Sequence, residues 1–392
     1  MNDHLAMLPF PVEFFFFALT LLGVALMHQR NFEIALTGLV VIALYKVSEL
    51  GYPLLPHLGH EAPLLLNLLG LLLGFAILAK VFEESHVPDL LPHWLPDDWR
   101  GGFLLLVLVA VISSFLDNIA AAMIGGVIAR RVFQGKVMVG YLAAIVAASN
   151  AGGAGSVVGD TTTTMMWIAG VPAIHVADAF IASIVAVAFS AFVAAHKQHA
   201  YQPIRKDWPR DHTVDWMRLG VVGLIIGGAI AANVILGLPA VGVWAAILLG
   251  ALIRPVPWRE AFHALKGSLF LIFLVTAASL MPVDKLPAAS VHTTFGLGFV
   301  SAVFDNIPLT KLALDQGGYD WGMLAFAVGF GGSMIWFGSS AGVAITNEFP
   351  EAKHTGRWIR EGWHVAAAYV LGFWVLYFVL GWVPEALIHA GS

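Results

Sequence analysis

Cysteine is absent from this 392-residue chain. Its absence excludes disulfides, thiolate metal sites, iron–sulfur clusters and cysteine nucleophiles, so a bound ion must be held by oxygen or imidazole. Charge is scarce as well. Only 11% of the residues are Asp, Glu, Lys or Arg, against roughly a quarter in soluble proteins. With 59% hydrophobic residues and a mean hydropathy of +0.83, the chain reads as an integral membrane protein. The first twelve residues contain no Lys or Arg, so the basic start of a cleaved signal peptide is missing and the first apolar run is expected to stay in place. No nucleotide-binding block is evident, which leaves an ion gradient as the expected driving force. No cofactor and no nucleic-acid partner are expected; the partner is the lipid bilayer.

A membrane crossing takes about 20 apolar residues, although discontinuous helices and re-entrant hairpins use shorter pieces. Apolar stretches cover 11–27, 32–50, 63–84, 102–133, 137–170, 176–195, 217–236, 240–253, 268–282, 289–316, 321–348 and 360–383. Polar breaks interrupt four of them, at Asp117, at Gly152 to Asp160, at Asp305 and near Gly331 to Ser340. If 102–133 and 289–316 are re-entrant hairpins and every other stretch crosses, then all 20 Lys and Arg residues except Lys46, Lys80, Lys285 and Lys311 fall on one side. By the positive-inside rule that side is the cytoplasm, and both termini lie outside the cell's inner membrane. If both hairpins spanned, the segregation would be lost. The expected fold is therefore an all-α polytopic membrane protein with about ten transmembrane helices, two re-entrant hairpins and broken helices.

The breaks also repeat. Ser113-Ser114-Phe115-Leu116-Asp117-Asn118-Ile119 matches Ser301-Ala302-Val303-Phe304-Asp305-Asn306-Ile307. Downstream, Gly152-Gly153 followed by Gly159-Asp160-Thr161 matches Gly331-Gly332 followed by Gly338-Ser339-Ser340 at the same internal spacing. Two motif pairs in the same order at similar separation mark an internal duplication, and the deduced topology sets the copies in opposite orientation. The expected organisation is a first inverted repeat over 1–195, a cytoplasmic linker over 196–216 and a second repeat over 217–392. Inverted repeats with broken helices are the architecture of secondary transporters.

A helix break in the membrane leaves amides and carbonyls unpaired, which is tolerable only beside water, a ligand or other protein. The exposed helix ends carry partial charges that can hold an ion. Glycines 152, 153, 159, 331, 332 and 338 let the backbone unwind and approach closely. Asn118, Asn150, Ser156, Thr161, Asn306, Ser333, Ser339 and Ser340 supply neutral oxygens. Asp117, Asp160 and Asp305 are the sharpest signal, because a carboxylate at the bilayer centre costs about 2.5–3.5 kcal/mol. They read as an alkali-cation site that also exchanges protons, since burial favours the protonated form and a bound cation the ionised one. The alternative is that they merely cap broken helices. The second half carries Ser339 where the first carries Asp160, so the site is expected to be chemically asymmetric.

At these residues the chain resembles the NhaD-type sodium/proton antiporters of the ion transporter superfamily. The resemblance rests on SSFLDNIAAAM (113–123), AASNAGGAGSVVGDTTTTMMWIAGV (147–171), FDNIPLT (304–310) and GFGGSMIWFGSSAGVAI (329–345). It implies exchange of Na⁺ or Li⁺ for H⁺, a homodimer, and an elevator-like movement of the hairpin-bearing part against a scaffold. Two lysines depart from the pattern. Lys80 stands where the resemblance puts an acidic residue, with Glu83 and Glu84 a turn later; it either pairs with them or acts as a built-in cation. Lys311 either snorkels to an interface or plays a similar charge-coupling part. The two lysines keep open a rival reading, a Na⁺- or H⁺-coupled transporter of carboxylates or inorganic oxyanions. An intramembrane aspartyl protease is disfavoured, because Val157-Val158-Gly159-Asp160 lacks the glycine that such motifs carry. Most histidines, among them His57, His60, His93, His196, His199 and His212, fall in expected loops.

Overall fold

The computed structural model describes residues 11–205 and 213–384. Lys206, Arg210 and His212 of the expected linker, and both chain ends, lie outside the described residues. What is described is an all-α polytopic membrane protein. Five of its helical stretches are long and apolar enough to cross a bilayer: Leu54–Glu83, Ala173–Tyr201, Trp216–Leu236, Arg259–Ser279 and Trp363–Leu380.

In chain order, α1 (Val12–Leu26), α2 (Asn31–Leu50) and α3 (Leu54–Glu83) are followed by a short α4 (Val87–Trp94). The stretch 102–133 folds as α5 (Trp99–Ser113) and α6 (Asn118–Val132), broken before Asp117-Asn118. The stretch 137–170 folds as α7 (Val139–Ala154) and α8 (Thr161–Ile168), broken between. Next come α9 (Ala173–Ala177) and α10 (Ala179–Tyr201), then α11 (Trp216–Leu236), α12 (Pro239–Gly250) and α13 (Arg259–Ser279). The second pair of broken stretches gives α14 (Val291–Ser301) with α15 (Asn306–Gln316), and α16 (Trp321–Gly331) with α17 (Ser340–Glu348). The chain closes with α18 (Thr355–Glu361) and α19 (Trp363–Leu380).

Local chemistry sets these limits. Asp98, Asp160, Asp215, Ser290, Asp305, Asp320 and Ser339 each accept a first-turn amide as N-cap, satisfying a donor that the helix itself cannot. Gly51 and Gly237 end α2 and α11 at φ 59° and 65°, the left-handed C-cap that glycine adopts without strain.

The helices pack in two groups, each drawn from both halves of the sequence. In one, α3 lies against α13, α12 seats on α3 and α2 on α13, while α1 and α11 pair with α2 and α12. Gly228 and Gly242 meet between α11 and α12, where a Cβ on Gly228 would come within 2.7 Å of the Gly242 carbonyl. Small residues of this kind let membrane helices close up. In the other group α7 packs on α5, α16 on α14, and α10 on α19. The groups meet where α8 touches α3 and α15 touches α13.

Two expectations need correction. The third stretch begins at Leu54 rather than 63, so His57 and His60 are helical, as are His93, His196 and His199. Polar residues at the start of α3 had suggested a loop. They are instead satisfied across the fold, His57 by Tyr52 and Ser279 at 3.0 and 2.9 Å and Glu61 by Lys311 at 2.9 Å. The sixth and ninth stretches likewise lengthen into α10 and α13, whose polar ends were outside the apolar count.

Candidate cation-binding site

The Gly-Gly breaks of both halves are built around short contacts that only glycine permits. A Cβ on Gly152 would collide with the Ala110 carbonyl of α5, and one on Gly331 with the Gly298 carbonyl of α14. These two contacts correspond under the motif alignment. So do two hydrogen bonds: Ser113 donates to the Ser149 carbonyl and Ser301 to the Val328 carbonyl, both at 2.6 Å. Gly153 and Gly332 each face the carbonyl of the glycine six residues on, at 2.8 and 2.7 Å from a built Cβ. The hairpins are thus pinned to the broken helices beside them by the same atoms in each half.

The aspartates sit at the new helix starts. Asp117 and Asp305 cap α6 and α15 with matching backbone, φ −52° and ψ 140° against φ −52° and ψ 139°. Asp160 and Ser339 cap α8 and α17, at φ −144° and ψ 142° against φ −142° and ψ 154°. Asp305 accepts the Ile307 amide at 3.0 Å. Asp117 makes no capping bond of that quality, and its carboxylate lies near the amides of Asn118, Ile119 and Ala120.

Asp160 is the most enclosed of the three. It accepts from the Thr162 hydroxyl at 2.8 Å and from the side-chain amides of Asn118 and Asn306 at 3.4 Å each, so both Asn residues of the repeated Asp-Asn motif aim at one carboxylate. Behind it, the Asn150 carbonyl oxygen accepts from Asn118 at 3.1 Å, while its amide donates to Ser333 at 2.9 Å and Ser339 at 3.1 Å. One buried amide therefore ties the first break to the second.

In front of these groups lies a cavity of about 370 Å³, into which Asp117, Asn118, Asp160, Thr161, Asp305, Asn306, Ser339 and Ser340 all reach. Its far wall is apolar, from the end of α1, the C-terminal half of α3 and the N-terminal half of α13. Among the described residues no Lys, Arg or His lines it. Among the described residues no three His, Asp or Glu side chains converge tightly enough to hold a metal ion alone. A cation bound here would take further oxygens from Asn, Ser, Thr and the carbonyls of the breaks. Ser156 and Asn150 do not line the cavity. The Ser156 hydroxyl donates to the Ser114 carbonyl at 2.5 Å, holding the first hairpin.

The lysines lie elsewhere. Lys80 pairs with Glu83 at 2.9 Å, and Glu84 with Arg218. Arg218 and Arg254 also flank Asp215, whose carboxyl is held below the usual range first by the Arg218 amide and then by the Arg254 guanidinium. Lys311 does not snorkel. It is buried, paired with Glu61 of α3 at 2.9 Å and with Asp315 at 2.6 Å, and Lys46 is buried nearby, donating to the Leu280 carbonyl at 2.6 Å. Sequence reasoning had not singled out Glu61 or Asp315. The four-residue spacing of Lys311 and Asp315 was a usable signal, whereas Glu61 lies 250 residues away.

Comparison with known proteins fits this architecture. The chain is 27% identical over 370 residues to sodium/proton antiporter 1 of Arabidopsis thaliana, covering 78% of this chain and 62% of that relative. It is 25% identical over 385 residues to the Na(+)/H(+) antiporter NhaD of Halomonas elongata, covering 81% and 74%. The chain thus spans somewhat less than two thirds of the plant relative's length. The sequence model of the CitMHS family, described as citrate transporter, matches residues 17–331, and the chain belongs to that family.

Proposed function

We propose that this protein is a secondary transporter, not an enzyme, that exchanges Na⁺ or Li⁺ for H⁺ by alternating access. The observation that carries this reading is the cavity itself: among the described residues three carboxylates, two Asn side chains and no basic group face it at the meeting of two helix breaks. A carboxylate in such a place is neutralised by a proton or by a cation, and the two compete. Asp160, with Asp117 and the oxygens of Asn118 and Thr161, is the main cation site, and Asp305 with Asn306 completes it from the opposite hairpin. The named activities of the antiporter relatives support the same assignment.

Alternating access follows from an inverted repeat over 1–195 and 217–392, supported by the paired contacts at the breaks. The cavity's scaffold wall comes from helix ends nearest Arg30, Arg218 (paired with Glu84 at the end of α3) and Arg259, the side that the positive-inside rule assigns to the cytoplasm. The other side is closed by the Glu61–Lys311–Asp315 cluster, with α15 packed on α13. This is an inward-facing state in the inner membrane, with both termini outside. The hairpin-bearing group would move as an elevator against the scaffold of a homodimer.

The family's description as citrate transporter favours a second reading, cation-coupled uptake of a carboxylate. With no basic side chain among the described residues that line the cavity, such an anion would be held through a bound cation. Proteoliposomes with an imposed pH gradient separate the two. Collapse of the gradient on adding Na⁺ or Li⁺ but not choline salts is expected; no response to any cation, together with cation-dependent accumulation of labelled citrate, would replace the first reading by the second.

A further inference from the structure

A second, smaller pocket lies away from the cation site, between the N-termini of α7 and α19 and the C-terminal end of α10. Its volume is about 120 Å³, and Lys197, Arg360, Glu361 and His364 line it with Gly140 and Tyr141. His364 is fully buried at 0% exposure, yet neither ring nitrogen has a hydrogen-bond partner among the described residues. Of the backbone groups among the described residues, only that of Gly140 stands near enough to act on the ring, so the buried imidazole has room for a further polar partner from the pocket.

That partner is an anion on the chemistry of the lining. Lys197 and Arg360 have no ion-pair partner among the described residues, Lys197 resting on the Trp363 ring at 5.4 Å. Neither α7 nor α19 has a side-chain cap, and the pocket lies at the N-terminal end of both, the positive end of each helix dipole. The single carboxylate present, Glu361, is bound to Arg357 at 2.8 Å, and the Tyr141 hydroxyl is committed to the Gly102 carbonyl at 2.6 Å. The volume equals that of about four waters at about 30 Å³ each, enough for one phosphate group. Ile359 and Trp363, next in sequence to the lining Arg360 and His364, are exposed apolar side chains, and basic pockets between membrane helices on the cytoplasmic side take anionic head groups.

We infer that this pocket binds a phosphate group, presented by an anionic phospholipid or as the free ion, and thereby joins α7, the helix that carries Asn150, to α10 and α19. The inference is independent of which ion the transporter carries. The test uses the purified full chain in mixed micelles containing phosphatidylglycerol or phosphatidylcholine, read by native mass spectrometry of retained lipid and by thermal unfolding. Wild type should retain phosphatidylglycerol preferentially and unfold at higher temperature in its presence. Lys197→Ala with Arg360→Ala, both at exposed positions, should reduce that preference at least about tenfold, the loss expected for a charge-assisted contact. His364→Phe keeps both cations and should weaken retention too. Stabilisation by millimolar inorganic phosphate without lipid preference, lost in the same variants, would identify the free ion as the ligand. Equal retention of both lipids with no effect of phosphate, or retention in the His364 variant unchanged and removed by moderate salt, would overturn the pocket.

Discussion

The two helix breaks share one backbone and differ in chemistry. At the first, Asp160 caps α8; at the second, Ser339 caps α17 with nearly the same dihedral angles. The hairpins differ in the same way. Lys311 of α15 has Met123 as its counterpart on α6 under the motif alignment, and α15 seats on α13 while α6 makes no comparable contact with α3. Geometry is what the repeat holds constant, because the unwound backbone must be supported twice. Charge is what it lets diverge, and the carboxylate went to the break while the ion cluster went to the opposite hairpin.

Removing the difference at the breaks should have the largest effect. Asp160→Asn keeps shape and hydrogen bonds but not the charge, and is expected to abolish Na⁺-dependent proton movement while the protein still inserts and purifies as a stable species. Ser339→Ala loses the cap of α17 and the bond from Asn150; the latter, of about 1 kcal/mol, bears on the site and should lower apparent cation affinity only about fivefold. Equal effects of the two substitutions on Na⁺ titrations in proteoliposomes would end the claim of asymmetry. The hairpin difference is tested next. Lys311→Met leaves Glu61 buried, with Asp315 beside it, without their cation, and a loss of roughly 3–5 kcal/mol is expected for the stranded buried partner, seen as a lower unfolding temperature. Adding Glu61→Gln and Asp315→Asn should restore most of it; if it does not, packing rather than charge holds that end. The smallest effect is expected at Lys80, whose partly exposed pair with Glu83 contributes about 0–1 kcal/mol. Lys80→Ala should leave charge stoichiometry unchanged, and a change would bring back the built-in cation.

The helices, their breaks and the three aspartates were all legible in the sequence, because each depends on neighbours within a few residues: apolar runs, Gly-Gly pairs, Asp-Asn starts. Side-chain partners were not. That Asn118 and Asn306 would both aim at Asp160, or that Asn150 would reach Ser333 and Ser339, depends on how four separated segments cross. The start of α3 was misread for the same reason. Glu61 and His57 look like loop residues until Lys311 and Ser279, more than 200 residues away, are brought against them.

Asn150 carries one more consequence. Its amide spends both hydrogens and its carbonyl on three partners from both breaks, which ties together, from behind, the segments that bear the oxygens at the opening in front of Asp160. Under the proposed exchange a larger ion would have to force that opening against those bonds, so discrimination between Na⁺ and K⁺ would be a matter of stiffness rather than of how many charges face the ion. Loosening the pin, as in Asn150→Ala, should then admit K⁺ before it destroys exchange.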